Sequence, residues 1–250
     1  ESLIEINDEA SDIKTDNLKW ILNPYDELAV EEGIRVRERA GDGKVTVLSV
    51  GLERVAAAIR TALAMGADEG VLINDPALEK LDPLVTAKVL AAAARTIPFD
   101  LIIAGQRAVD DDSYLVPSAV AEHLGIPLIA QVVREEVRGD KIQCEQTLQD
   151  GTAVVEADLP VLLSTQRGLN QPRYASLPNI MKAKKKPLET RNLAAIGLDA
   201  AHFGREALKI KILSLAFPPG RKICKMIAGE KPAEKAAKLV QALHDEAGVL

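Results

Sequence analysis

One local pattern recurs along this chain and leaves it few ways to fold. A short apolar run ends at a glycine, and a longer run with apolar residues at every third or fourth place follows. Val45 to Val50 reads as a buried strand ending at Gly51, and Glu53 to Met65 as a helix with Val55, Ile59, Ala62 and Leu63 on one face and Gly66 as its C-cap. Val71 to Ile73 is the next strand. Asp82-Pro83 opens a helix that carries Leu84, Val85, Val89 and Leu90 inward. Asp100 to Ala104 is a third strand closed by Gly105, and Ser113 to Leu124 a helix ending at Gly125. Strands alternating with helices at this spacing imply parallel pairing through right-handed crossovers. Ahead of them, Asn23 at an N-cap and Pro24 at the first helical position start a helix running to about Arg39. Residues 1–22 alternate only weakly and read as short extended pieces or a hairpin.

From Leu128 the pattern changes. Leu128 to Val133, Lys141 to Gln149, Thr152 to Ala157 and Val161 to Ser164 read as strands, with Asp150-Gly151 as a hairpin turn. Residues 188–208 are mixed, and Lys209 to Leu215 reads as a last strand. Phe217-Pro218-Pro219-Gly220 breaks the chain before a helix over Pro232 to Ala247, with Ala236, Leu239, Val240 and Leu243 on one side. The expected division is an α/β domain over 1–215 and a C-terminal arm over 216–250 that wraps a partner subunit or packs back on its own sheet.

Composition removes several function classes. Aromatic residues are 3% and net charge is −6, so there are few rings to stack on bases and a phosphate backbone is repelled overall. Cys144 and Cys224 stand far apart and His123, His202 and His244 have no ligand spacing, so no metal site, disulfide framework or cysteine nucleophile is expected. No apolar run is long enough to cross a membrane. Ala40-Gly41-Asp42-Gly43-Lys44 is a turn, since no Ser or Thr follows Lys44 as a phosphate loop requires.

Two stretches carry chemistry. Gly105, Gln106, Arg107, Ala108, Val109, Asp110, Asp111, Asp112 and Ser113 join a strand's carboxyl end to a helix start, where open parallel sheets bind ligands. Free N–H groups there suit a phosphate. Three aspartates repel one, so contact falls to backbone and Arg107; simple capping by the aspartates is the other reading. The second stretch is residues 170–187. Pro172 and Pro178 precede the expected helix, Pro187 stops it, and Leu177, Ile180 and Met181 lie between Arg173 and Lys182, Lys184, Lys185 and Lys186. An apolar tip rimmed by charge suits docking. The alternative is that Leu177 and Ile180 enter the chain's own core and the lysines form a solvated face.

Arg173 to Lys186, with Tyr174, Leu177, Pro178, Ile180 and Met181, resembles without interruption the signature R-Y-A-x-L-P-N-I-M-K-A-K-K-K of electron transfer flavoprotein beta subunits. N-P-Y-D-E-L-A-V-E-E from Asn23, R-T-A-L-A-M-G-A-D from Arg60 and G-Q-R-A-V-D-D-D from Gly105 resemble other stretches of that family in the same order. The resemblance implies a Rossmann-like parallel sheet flanked by helices, of the adenine nucleotide alpha hydrolase kind, with a β-rich extension and a C-terminal arm. It implies an AMP site formed by Asn23, Pro24, Tyr25, Asp26 and Val50 with Gly105 through Val116, which includes Tyr114 and Leu115. Tyr25 is also implied near the flavin ring.

The implied protein is an electron carrier without a catalytic acid, base or nucleophile. An alpha subunit holds most of the FAD, an acyl-CoA dehydrogenase delivers electrons at Leu177, and a quinone oxidoreductase accepts them. Arg173 and the lysines steer the encounter. The implied compartment is a bacterial cytoplasm or a mitochondrial matrix. This sequence departs from the family in two places. The family carries an apolar strand ahead of the segment that begins at Glu1, so either that strand precedes these residues or the sheet is one strand short, and one wall of the nucleotide pocket is then missing from view. Tyr114-Leu115 also stand where the family often has Asn-Gln or Ala-Gln. Two alternatives stay open: a bifurcating-type beta subunit with a second FAD and NADH, and a free-standing ATP- or AMP-binding module resembling universal stress proteins.

Overall fold

The computed structural model describes residues 4–9, 11–15, 18–220 and 224–249. The chain divides into two compact units. The larger is Glu1–Ile4 with Lys14–Ile212, and the smaller is Glu5–Ile13 with Leu213–Leu250.

The larger unit is α/β, as the alternation predicts. In order it contains α1 (Pro24–Ala40), β1 (Thr46–Val50), α2 (Ala56–Met65), β2 (Glu69–Ile73), α3 (Pro83–Ala94), β3 (Leu101–Gly105), α4 (Val116–Leu124), β4 (Leu128–Arg138), β5 (Lys141–Leu148), β6 (Gly151–Asp158), β7 (Val161–Thr165), α5 (Leu177–Ala183) and β8 (Leu188–Arg191). Among the described residues its strands form two sheets, β1–β2–β8, which is all parallel, and β3–β7–β4–β5–β6. In the second, β3, β7 and β4 are parallel, while β4, β5 and β6 form an antiparallel meander closed by the expected turn at Asp150.

The core is built from aliphatic side chains on both faces of the strands. Val71 and Ile73 of β2 pack with Leu78, Val89 and Leu193, while Leu72 between them packs on the opposite side with Ile59, Leu63 and Ala183. Burial on both faces makes β2 a continuous apolar run without alternation. All five residues of β7 are buried. Asp82 accepts from the Val85 N–H at 2.8 Å and starts α3 as its N-cap.

Four expectations need correction. The helix expected from Ser113 begins at Val116, because Asp112 and Tyr114 adopt φ of 55° and 58°, outside helical space. Pro178 lies in the first turn of α5 rather than before it: Ser176 is the N-cap, accepting from Asn179 N–H at 3.4 Å, and proline is tolerated there. Residues 188–191, expected within a mixed stretch with no assigned strand, form edge strand β8 against β2. The strand expected at Lys209 to Leu215 does not form. The Asp82 carboxylate takes the Lys209 N–H and, at 3.1 Å, the Ile210 N–H that a ladder would need.

In the smaller unit, Ile6 and Ile13 form one antiparallel bridge, all that appears of the hairpin among the described residues; Leu3 lies outside them. The terminal helix forms as α6 (Pro232–Ala242) and continues as a π-helical turn over Leu243–Ala247. None of the residues of α6 is buried.

Candidate functional site

The loop after β3 is built around α1. Gly105 donates its N–H to Asp26 Oδ1 at 2.7 Å. A Cβ at that glycine would lie 2.8 Å from Tyr25 Cβ and 2.9 Å from the Asp26 nitrogen, so only glycine lets the end of β3 approach the first turn of α1 this closely. Thr165, the register partner of Gly105, donates its hydroxyl to the Tyr25 carbonyl at 2.8 Å. Asn23 leaves its own helix uncapped. Its side-chain amide donates to the Arg107 carbonyl and to Asp26 Oδ2, each at 2.8 Å, and its Oδ1 accepts from the Val109 N–H at 3.3 Å. Asn23, Tyr25 and Asp26 thus meet Gly105 to Val109 from more than 75 positions away.

Arg107 organises the polar centre. It donates to the Tyr25 hydroxyl at 3.1 Å and pairs with Asp112. Its guanidinium lies 5.1 Å from the Tyr25 ring centroid and 5.0 Å from that of Tyr114, within cation–π range. The Arg107 hydrogen bond lowers the pKa of Tyr25, against the opposing effect of burial. Desolvation raises the pKa of Asp26.

The aspartates build the loop instead of capping α4. The Ser113 N–H donates to Asp111 Oδ1 at 3.1 Å, and the Asp112 N–H to the Ala108 carbonyl at 3.0 Å. A tyrosine held at φ 58° costs on the order of 1–3 kcal/mol, a strain concentrated at functional sites. Asp110 and Val109 are exposed, and Ala108, Leu115 and Val116 are half-buried.

Two buried polar atoms here lack a partner among the described residues: Gln106 Oε1 and Arg107 Nε–H. One is an acceptor and the other a cationic donor, which suits a ligand with both an amine or hydroxyl and an anionic group. An adenine mononucleotide carries both. No group of three acidic, histidine or cysteine side chains able to hold a metal occurs among the described residues. Val50 packs on the Val71–Ile73 cluster and lines a cavity of about 170 Å³ with Trp20, Gly51 and Leu78.

The second region is α5 and the segment leading to it. Leu177 is 79% exposed and Tyr174 fully so, with Met181 at 61% and Ile180 at 42%. The side chains toward the fold are Ala183, which is buried, and Ala175, both packed beside Ile59 and Leu63. Leu177 and Ile180 therefore do not enter the core.

The basic residues separate into two kinds. Lys182, Lys184 and Lys185 are exposed. Lys186 turns inward and donates to the Leu63 carbonyl at 3.0 Å and to that of Ala67, and desolvation lowers its pKa. Arg173, expected on the charged rim, pairs with Glu38 and with Glu31, which is 2% exposed. Nothing in the residues nearest Arg173 signals these acids, which lie 142 and 135 positions earlier.

Comparison with known proteins adds a third line of evidence. Residues 12–196 match the model of the electron transfer flavoprotein domain. The chain is 40% identical over 243 residues to the electron transfer flavoprotein subunit beta of Bacillus subtilis, covering 97% of this chain and 93% of that protein. It is 37% identical over 247 residues to the subunit of that name from Bradyrhizobium diazoefficiens, covering 99% and 94%. Against the Homo sapiens subunit the figures are 36% over 220 residues, covering 87% and 84%.

Proposed function

The chain belongs to the electron transfer flavoprotein beta-subunit family, and from that premise we propose that it docks a flavoprotein dehydrogenase at α5 and holds AMP at the 105–116 loop. Its partner is an alpha subunit that carries most of the FAD. The donor is an acyl-CoA dehydrogenase and the acceptor a quinone oxidoreductase. When bound, FAD supplies the redox chemistry, and this chain supplies binding and position. No residue acts as acid, base or nucleophile. The site of action is the cytoplasm in a bacterium or the mitochondrial matrix in a eukaryote.

The exposed set of Tyr174, Leu177, Ile180 and Met181 carries the docking reading. Large apolar side chains left this open on a short helix are the anchors expected of an interaction site, and burying one leucine contributes about 1.5–3 kcal/mol. Lys182, Lys184 and Lys185 beside them favour an acidic partner surface and a faster encounter.

The unpartnered Gln106 Oε1 and Arg107 Nε–H support the nucleotide reading. Arg107 would meet the phosphate, with Asn23, Tyr25 and Asp26 fixing the loop around it. Tyr25 is buried beneath Arg107, so its part here is to orient that guanidinium.

Mass spectrometry of the small molecules released on denaturing the purified heterodimer tests this. About one AMP per beta chain is expected beside FAD. A second FAD in place of AMP would assign the loop to the bifurcating type, and a colourless homodimer carrying ATP would overturn the carrier reading.

A further inference from the structure

We propose that Glu31 of α1 and Arg60 of α2 are positioning residues that clamp the docking segment at both ends, so that its apolar face is rigid before a partner arrives. The inference rests on the reading of α5 as a docking surface and adds what holds that surface in place.

The N-terminal clamp is a buried carboxylate. Glu31 accepts from the Arg173 backbone N–H at 3.1 Å, from its Nε at 2.8 Å and from one terminal nitrogen at 3.1 Å. Glu38, two turns along the same helix, receives both terminal nitrogens at 2.8 and 3.0 Å. Arg35 braces Glu31 at 2.8 Å. Three residues earlier, Asn170 donates to the Leu28 carbonyl at 3.0 Å and to Glu32 at 2.7 Å. One face of α1 thus holds the segment by its backbone as well as its side chains. Multidentate, charge-assisted bonds of this kind fix geometry more tightly than single contacts.

The C-terminal clamp is reciprocal. Arg60 on α2 donates to the carbonyls of Ala183 and Lys186, both at 2.7 Å, where α5 ends. Lys186 returns its ammonium to Leu63 and Ala67, at the end of α2. Arg60 of α2 and Lys186, just past α5, thus each bring a cation to carbonyls at the other helix's C-terminal end, where unpaired carbonyls favour positive charge. Ala183 seats between them, 2% exposed.

Glu31, Lys186 and Ala183 lie toward the fold, while Tyr174, Leu177, Ile180 and Met181 lie outward. A loop that orders only on docking loses affinity to that ordering; one already fixed does not. The clamps act on partner affinity and leave the electron-transfer step itself alone.

The test uses the intact heterodimer with its flavin, titrated as electron acceptor against an acyl-CoA dehydrogenase. Glu31→Gln is expected to raise KM about tenfold with kcat, flavin content and reduction by dithionite unchanged. Trypsin cleavage after Lys182, Lys184 and Lys185 should accelerate about tenfold. Arg60→Gln and Arg173→Lys should behave alike, and they carry the test if Glu31→Gln fails to fold. Wild-type KM and cleavage rates in the folded variants would overturn the proposal. Leu177→Ala separates the two readings: it should raise KM without altering cleavage. If it leaves KM unchanged while Glu31→Gln speeds cleavage, the clamp stands and the docking reading fails.

Discussion

The two candidate regions differ in how they treat the charged groups that turn inward. Around α5 the charged side chains that turn inward find partners within the fold: Arg173 on Glu31 and Glu38, Arg60 on the carbonyls of α5, Lys186 on those of α2. Apolar surface is what remains exposed. Around the 105–116 loop, which also exposes Val109 and Tyr114, the buried polar atoms Gln106 Oε1 and Arg107 Nε–H lack partners among the described residues. A surface whose inward-turned charges are paired, with Asn170 Oδ1 its buried polar atom lacking a partner among the described residues, and whose hydrophobes are exposed suits a transient protein partner. A loop with unpaired buried polar atoms suits a small resident ligand, because those atoms are costly until paired.

Gly105→Ala probes the pocket side most severely. The new methyl would meet the backbone of Asp26 at 2.9 Å, and backbone cannot swing aside. A loss of about 3 kcal/mol in stability by denaturant titration is expected, with AMP content falling alongside. Full nucleotide content at wild-type stability would mean that β3 and α1 are not held together at this point.

Leu177→Ala probes the docking side. Truncating an exposed anchor should leave folding stability and AMP content alone and weaken partner binding by about 2 kcal/mol, roughly thirtyfold in KM. A fall in AMP content would erase the contrast between the regions.

The smallest effect is in titration. Burial opposes ionisation of Glu31, but Arg173 and Arg35 outweigh it and hold its pKa below the usual value. Asp26 moves the other way through desolvation. A depressed folded-state pKa means that the Glu31 contribution is complete above its unfolded value, about 4.3, and is lost as pH falls through the folded one. Asp26, with a raised pKa, costs stability when ionised, so its contribution is present at low pH and lost as pH rises. Carboxyl NMR titration should place Glu31 below and Asp26 above their ordinary values; shifts in the same direction would break the comparison.

Much of this was legible locally. Asn23-Pro24 and Asp82-Pro83 start α1 and α3 where expected, and Gly66 and Gly125 follow the ends of α2 and α4, since caps are short-range devices. The start of α4 was misplaced because the dihedrals of Asp112 and Tyr114 belong to a loop tied to Asn23 and Arg107. Strand β8 was missed because Leu188–Arg191 has no alternation to show, and gains its place only by pairing with β2. Asn23 was correctly placed as a helix start, yet its side chain serves the Arg107 loop 84 positions away.

The sequence by itself determined the α/β order, the family and the two stretches proposed to carry function, because periodicity, caps and an unbroken run of signature residues need only neighbours along the chain. The tertiary structure alone decided which charges serve the surface and which the scaffold. Arg173 and Lys186 read as two more rim cations until Glu31 and the end of α2 are brought beside them. A side chain's role follows from the partner it meets, and these partners lie more than a hundred residues apart in sequence.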